Sequence, residues 1–99
     1  MIKITNDMDE ALKTDNAVLY FTAPWCQPCK ALKPVMAKIG MQDDTHNYFV
    51  IDIEEIDKGY LDRFNIRSVP TILKLDSNNQ PTVIKSRTGS EILEEIMGA

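Results

Sequence analysis

Two short apolar runs and the stretch between them constrain the fold of this chain most strongly. Residues 17–22 (AVLYFT) and 48–53 (YFVIDI) are bounded by polar residues or proline, as expected of buried strands. Apolar side chains at helical spacing follow the first run, over residues 27–39: Ala31, Leu32, Val35, Met36 and Ile39. A strand, a helix and a second strand in this order predict a parallel βαβ unit with a right-handed crossover.

The remaining segments extend this unit into a mixed sheet. Residues 71–75 and 82–85 are β-rich and joined by an Asn-rich turn, which predicts an antiparallel hairpin. Residues 2–4 are the candidate first strand. Further helices are predicted over residues 8–13, over residues 56–64, and from Ser90 as N-cap through the stripe Ile92, Leu93, Ile96 and Met97. The sequence therefore predicts an α/β fold, a single domain over residues 1–99 with a central mixed sheet of about five strands flanked by about four helices.

Composition narrows the classes of function. The net charge is −4 and the 11 Lys and Arg residues are scattered, whereas a phosphate-backbone binder clusters its positive charge. No run approaches the roughly 18–20 apolar residues of a membrane helix. The N-terminus turns acidic early and has no apolar signal segment. We therefore expect a cytoplasmic monomer with no direct nucleic-acid partner and no membrane partner.

The two cysteines of the chain, Cys26 and Cys29, lie three positions apart. A secreted disulfide scaffold of this size usually carries more cysteines, spread along the chain. A zinc site needs four ligands, and the only histidine is His46, which we expect to be exposed. The close pair therefore favours redox chemistry over a structural bridge, and we expect no metal site.

The segment Trp25 to Lys30 (WCQPCK) lies where the first buried strand ends and a helix begins. Cys26 stands at the helix N-terminus, where unpaired backbone N–H groups favour a thiolate over a thiol. Pro28 suits the first helical turn because it needs no donor there. The two intervening residues allow Cys29 to reach Cys26 with ordinary disulfide geometry. The pattern predicts an exposed nucleophile, Cys26, with a second thiol, Cys29, one turn behind it.

The sequence around this pair resembles the active-site segment of the thioredoxin family. The resemblance lies in residues 21–34 (FTAPWCQPCKALKP), and residues 66–71 (IRSVPT) look like the second signature of that family, a loop with a cis-proline facing the active site. It covers essentially the whole chain in order and spacing. It implies the thioredoxin fold and protein-disulfide reduction and electron transport by dithiol–disulfide exchange. The implied partners are disulfide-containing target proteins and a thioredoxin reductase, with no bound cofactor besides the redox-active disulfide Cys26–Cys29.

The resemblance also implies roles for the two cysteines and their neighbours. Cys26 would attack the target disulfide and Cys29 would resolve the mixed disulfide. Trp25 and Pro28 would shape the surface that receives the substrate. Gln27 stands where the family usually has glycine and would change the reduction potential or the choice of partner.

Two further residues are implied in substrate binding, Val69 and Pro70. If the bond between them is cis, Val69 would offer backbone hydrogen bonds to an extended substrate segment, as an added β-strand does.

One departure from the family concerns proton transfer. Six residues before Cys26 the family commonly has a buried aspartate, and this chain has Tyr20. The lysine that accompanies that aspartate would fall near Val50 or Ile51, where there is none. We therefore expect Tyr20 to be a core residue and the proton of Cys29 to leave through water or through the leaving thiolate.

Two other functions remain open at this point. A glutaredoxin-like protein would use glutathione, but its usual motif has proline and then an aromatic residue between the cysteines, whereas Gln27 and Pro28 follow the thioredoxin order. A binding module, in which the fold is a subunit of a larger machine and the thiols are secondary, would have the same sequence features.

Overall fold

The structure, a computed structural model, describes residues 2–98, so the two end residues of the predicted domain lie outside the described range. Within that range it has five strands and four helices in the predicted order. They are β1 (Ile2–Ile4), α1 (Met8–Lys13), β2 (Ala17–Thr22), α2 (Gln27–Gln42), β3 (Asn47–Asp52), α3 (Lys58–Arg63), β4 (Thr71–Leu75), β5 (Pro81–Ile84) and α4 (Gly89–Gly98). None of these helices is both long and apolar enough to cross a membrane.

The five strands form one mixed sheet in the order β1-β3-β2-β4-β5. The first three strands are parallel, while β4 runs antiparallel to both β2 and β5. Leu19 in the centre of β2 pairs with Phe49 on one side and Leu73 on the other. The predicted βαβ unit and hairpin are therefore confirmed, and β2 is the central strand whose carboxyl end leads into α2.

Each face of the sheet packs against its own pair of helices. Val18 and Tyr20 of β2 lie in one core cluster with side chains of α2 and α4, including Met36 and Ile92. Alternate residues of a strand point to opposite faces, so Leu19 and Phe21 lie in the other cluster, with Met8 and Ala11 of α1 and with Phe64. Burying a side chain of this size stabilises the fold by about 1.5–3 kcal/mol. Both faces of β2 are covered, which explains why its sequence is continuously apolar.

Two predicted helix starts differ from the structure. The third helix begins at Lys58 because Asp57 is its N-cap, with a side chain that accepts from the Gly59 N–H, so the first two residues of the predicted range lie outside it. The fourth helix begins at Gly89, so Ser90 is not its N-cap. The carbonyl of Thr88, the residue before this helix, already accepts from the Ile92 N–H.

The last helix also buries a narrower stripe than predicted. Ile92 and Ile96 are buried, one turn apart, and Leu93 is partly buried against the same cluster. Met97 is 53 % exposed, because it lies one position, and so about 100°, beyond Ile96 on the helix.

The turn after α2 contains a buried acid, Asp43, which caps the end of that helix. Its carboxylate accepts hydrogen bonds from the backbone and hydroxyl of Thr45, from the Tyr48 hydroxyl at 2.7 Å and from His46 Nδ1 at 2.8 Å. The expectation that His46 is exposed is wrong, since its side chain is only 11 % exposed. Burial by itself raises the pKa of Asp43, but these hydrogen bonds outweigh it and hold that pKa well below its usual range.

Candidate active site

The cysteine pair lies at the point where the central strand β2 gives way to α2, and its two sulfur atoms form a disulfide. Cys26 is the N-cap of α2, and its Sγ accepts a hydrogen bond from the Cys29 N–H at 3.2 Å. Its carbonyl accepts from the Lys30 N–H at 3.3 Å. Pro28 occupies the first turn. Cys26 therefore stands at the start of the helix, as the sequence predicts, with a backbone donor aimed at its sulfur.

Both cysteines are nearly covered in this disulfide state. Cys26 is 4 % exposed and Cys29 is 1 % exposed. The prediction of an exposed Cys26 is therefore wrong for the oxidised pair, although Cys26 is the more accessible of the two. The cover comes partly from the loop before β4, because the Val69 carbonyl oxygen lies 3.6 Å from Cys26 Sγ.

That loop carries the second predicted signature. The peptide bond between Val69 and Pro70 is cis, as the resemblance implies. The Ser68 carbonyl accepts from the Thr71 hydroxyl at 2.6 Å, which closes the loop just before β4 begins. The fold thus brings Val69 to the sulfur atom of Cys26, although the two residues are 43 positions apart in the sequence.

The residues flanking the pair form an exposed rim. Gln27 and Pro28 are exposed, and Trp25 is 63 % exposed. The Trp25 indole is nevertheless held in place, because its Nε1–H donates to Glu54 Oε2 at 2.8 Å. No partner for Trp25 follows from the sequence, because Glu54 lies 29 residues away along the chain.

Tyr20 lies directly beneath the first turn of α2 and is fully buried. Its hydroxyl donates to the Cys29 carbonyl oxygen at 2.6 Å. Burial raises the pKa of this hydroxyl, so it stays protonated at neutral pH. Val50 and Ile51 are buried and apolar, as expected of positions without the family lysine. The expectation that Tyr20 belongs to the core is confirmed, and its hydroxyl anchors the turn that carries Cys29.

A cavity of about 300 Å³ opens beside Cys29. Its lining includes Lys30 and Lys33 from α2 and Asp52 from the end of β3. A water molecule takes roughly 30 Å³ in the liquid, so several can stand next to the buried cysteine. Among residues 2–98, no group of three or more His, Cys, Asp or Glu side chains is arranged to hold a metal ion.

Comparison with known proteins gives one consistent result. The sequence model of the family described as Thioredoxin matches residues 2–98. Thioredoxin-2 of Dictyostelium discoideum is 34 % identical over 71 % of this chain and 78 % of its own length. Putative thioredoxin-4 of the same organism is 28 % identical over 92 % of this chain and 86 % of its own length. The crystal structure of thioredoxin from Malassezia sympodialis superposes with a TM-score of 0.83 at 24 % identity, covering 99 % of this chain and 90 % of that one.

Proposed function

The chain belongs to the thioredoxin family, and on that premise we propose that it reduces protein disulfides with Cys26 as nucleophile and Cys29 as resolving thiol. Thiol–disulfide exchange itself follows from the family and from the bonded pair. The position of Cys26 supports the division of roles. Its Sγ accepts the Cys29 N–H at the start of α2 and faces the Val69 carbonyl, so it has both a thiolate-stabilising donor and a neighbouring backbone edge.

The proposed reaction transfers two electrons from the chain to the target. The Cys26 thiolate attacks one sulfur of the target disulfide, the target S–S bond breaks, and the released target thiolate takes up a proton. The Cys29 thiolate then attacks Cys26 Sγ in the mixed disulfide and releases the second target thiolate. The Cys26–Cys29 bond forms and the target becomes a dithiol. The proton of Cys29 leaves through water in the adjoining cavity or through the departing thiolate.

The proposed substrate surface is the exposed rim together with the cis-proline loop. Trp25, Gln27 and Pro28 are exposed next to Cys26 in the chain. The cis-proline loop approaches the same cysteine, because the Val69 carbonyl oxygen lies 3.6 Å from Cys26 Sγ. An extended target segment placed between them could form β-like hydrogen bonds with the Val69 backbone.

The proposal extends to the partners and the setting of the protein. A separate thioredoxin reductase would regenerate the dithiol, and no bound cofactor is needed because the electrons reside on the two sulfur atoms. We infer a single domain that works as a monomer in a reducing compartment such as the cytoplasm. The support is that the chain has two cysteines, both in one redox pair, rather than a set of bridges spread along the sequence.

Trapping variants test the assignment of roles. Cys29→Ser should accumulate a mixed disulfide with target proteins, because the attack occurs but the resolving thiol is missing. Cys26→Ser should accumulate none. Iodoacetamide in slight excess at neutral pH should label Cys26 first in the reduced parent, as measured by peptide mass. Preferential labelling of Cys29, or trapping by Cys26→Ser, would reverse the roles.

Comparison of reductants tests the electron donor. A thioredoxin reductase with NADPH should reduce the Cys26–Cys29 disulfide faster than glutathione does. The reverse order would assign the chain to glutathione-dependent chemistry.

A further inference from the structure

Two loops of the active-site face meet at one exposed side chain, Arg87, which lies between β5 and α4. Its Nη1 donates to the carbonyl oxygens of Ser86 at 2.9 Å, Ile84 at 3.2 Å and Lys85 at 3.4 Å. Its Nη2 donates to the Pro70 carbonyl oxygen at 3.3 Å. One guanidinium therefore joins its own loop to the cis-proline loop.

The loop that carries Arg87 is also fixed from its other side. Glu95 of α4 accepts from the backbone N–H of Ser86 at 2.8 Å and of Lys85 at 3.2 Å. The hydrogen bonds from Ser86, followed by that from Lys85, hold the pKa of Glu95 below its ordinary value, so it is a carboxylate at neutral pH. These two hydrogen bonds to α4 hold the loop that carries Arg87 in place.

The contact with Pro70 lies one residue from the backbone that faces the reactive sulfur. The Val69 carbonyl is 3.6 Å from Cys26 Sγ, and Pro70 carries the carbonyl that Arg87 binds. Arg87, Pro70 and Pro28 also line one groove of about 340 Å³ along α2. A shift of Pro70 would therefore move both the backbone edge offered to a target and one wall of this groove.

We propose that Arg87 is a positioning residue for reaction with protein targets, in which its guanidinium ties the cis-proline loop to the β5–α4 loop and so fixes the Val69 edge opposite Cys26. The planar fork of arginine suits this task because it presents donors on two nitrogens in a rigid geometry. The single nitrogen of a lysine cannot take both positions. The proposal rests on the proposed function, since it concerns how protein disulfides are received.

The test compares two disulfides of different size. The reduced chain is mixed with insulin, or with hydroxyethyl disulfide, which is neutral and has no peptide backbone to pair with the Val69 edge. Oxidation of the chain is followed by acid quench, alkylation and mass measurement, so no reductase is required. Arg87→Gln removes the fork and the charge, and Arg87→Lys keeps the charge alone. Arg63→Gln is the matched control, because Arg63 is an exposed arginine of α3 that lies over the Phe64 ring.

We expect both Arg87 variants to react with insulin roughly tenfold more slowly than the parent. This factor corresponds to the loss of one charge-assisted hydrogen bond. Their rates with hydroxyethyl disulfide and their redox equilibrium with glutathione should match those of the parent and of Arg63→Gln. A merely structural role would slow both reactions alike.

Three results would overturn the proposal: unchanged insulin rates in Arg87→Gln, equal losses with both disulfides, or full rescue by Arg87→Lys, which would make charge sufficient. A parent chain that does not oxidise in the presence of insulin would overturn the proposed function itself and this inference with it.

Discussion

At the scale of single residues, Tyr20 occupies the buried position where the family commonly has a carboxylate. An isolated buried carboxylate is costly, and removing one partner of a buried ion pair typically costs 3–5 kcal/mol. This chain has neither the acid nor its lysine, and the tyrosine hydroxyl binds the Cys29 carbonyl instead. The position is therefore satisfied without a charge, and we expect Tyr20 to have a structural rather than a proton-transfer role.

Replacement of Tyr20 by phenylalanine tests that role. We expect Tyr20→Phe to lose about 1 kcal/mol of unfolding free energy, since one buried hydrogen bond is removed. The rate at which a mixed disulfide is resolved at pH 7, measured by rapid quench and mass measurement, should change less than about twofold. A tenfold change would correspond to a loss of about 1.4 kcal/mol in the reaction itself. Tyr48→Phe is the control, because that buried hydroxyl binds Asp43 away from the cysteines. A much slower resolution in Tyr20→Phe alone would make its hydroxyl a participant in the reaction.

The hydrogen bond between Trp25 and Glu54 yields a second test at this scale. Trp25 is the only tryptophan of the chain, so its fluorescence reports on this position alone. Glu54→Ala should free the indole and lower the fluorescence anisotropy, whereas Glu54→Gln keeps an acceptor and should preserve it. Glu55→Ala, the exposed neighbour, serves as control. Equal anisotropy in all three variants would show that the bond does not hold Trp25 in solution.

At the scale of helices and strands, sequence pattern predicts what depends on local periodicity. The run 17–22 coincides with β2, because a strand buried on both faces leaves a continuous apolar signature. Residues 71–75 coincide with β4, because a β-rich segment followed by an Asn-rich turn is a local signal as well. Ser90 is a plausible cap by residue type, yet the helix begins one residue earlier. Such boundaries depend on which backbone groups tertiary packing leaves free, and a local pattern does not contain that information.

The same limit applies to the environment of polar side chains. His46 lies in a polar stretch, 42–47, that is typical of an exposed loop. It is mostly covered because Asp43 folds inward to cap α2 and gathers Thr45, His46 and Tyr48 around its carboxylate. The contact of Arg87 with Pro70, in contrast, joins residues that are 17 positions apart. Neither contact follows from spacing along the chain.

The turn after α2 should make stability depend on acid pH. The hydrogen-bonded Asp43 has a folded-state pKa below its unfolded value. Its contribution is therefore fully present above about pH 4, near the unfolded pKa, and is lost as the pH falls through the folded value. We expect the unfolding free energy of the parent, measured by urea titration, to fall below pH 4.

Asp43→Asn isolates this effect. It should lower the unfolding free energy at pH 7 by roughly 2–3 kcal/mol, because charged hydrogen bonds are weakened, and it should flatten the acid limb of the profile. Tyr48→Phe removes one hydrogen-bond donor but keeps the carboxylate of Asp43. The unfolding free energy of this variant should therefore still fall at acid pH, but by less than that of the parent. An acid limb in Asp43→Asn as steep as that of the parent would assign the pH dependence to other carboxylates.

At the scale of the whole molecule, the sheet order explains how residues 2–98 assemble this site. The central strand β2 lies between β3 and β4. Its carboxyl end presents Cys26, while the antiparallel β4 begins at the same edge and brings the cis-proline loop to it. The β4–β5 hairpin then leads back to Arg87. A mixed sheet thus places segments that are distant in sequence around one disulfide.

Oxidation of the cysteine pair should stabilise the entire fold, but only modestly. The Cys26–Cys29 bridge closes a very short loop, with a sequence separation of 3. In the chain-entropy model, a loop this short restricts the unfolded chain by only about 2 kcal/mol. We therefore expect the oxidised form to be more stable than the reduced form by about 2 kcal/mol in urea unfolding. The difference should vanish in a Cys26→Ser, Cys29→Ser double variant treated with the same reductant.

The sign of this difference bears on the reduction potential through a closed thermodynamic cycle. A pair whose bridge stabilises the fold is harder to reduce when folded than when unfolded, by about 30 mV for each 1.4 kcal/mol. We expect an opposing contribution in the reduced form, because the α2 N-terminus and the Cys29 N–H, which donates to Cys26 Sγ in the disulfide, would stabilise a Cys26 thiolate. A reduced form that is more stable than the oxidised form in urea would show that thiolate stabilisation outweighs loop closure. The pair would then be a stronger oxidant than chain entropy alone predicts.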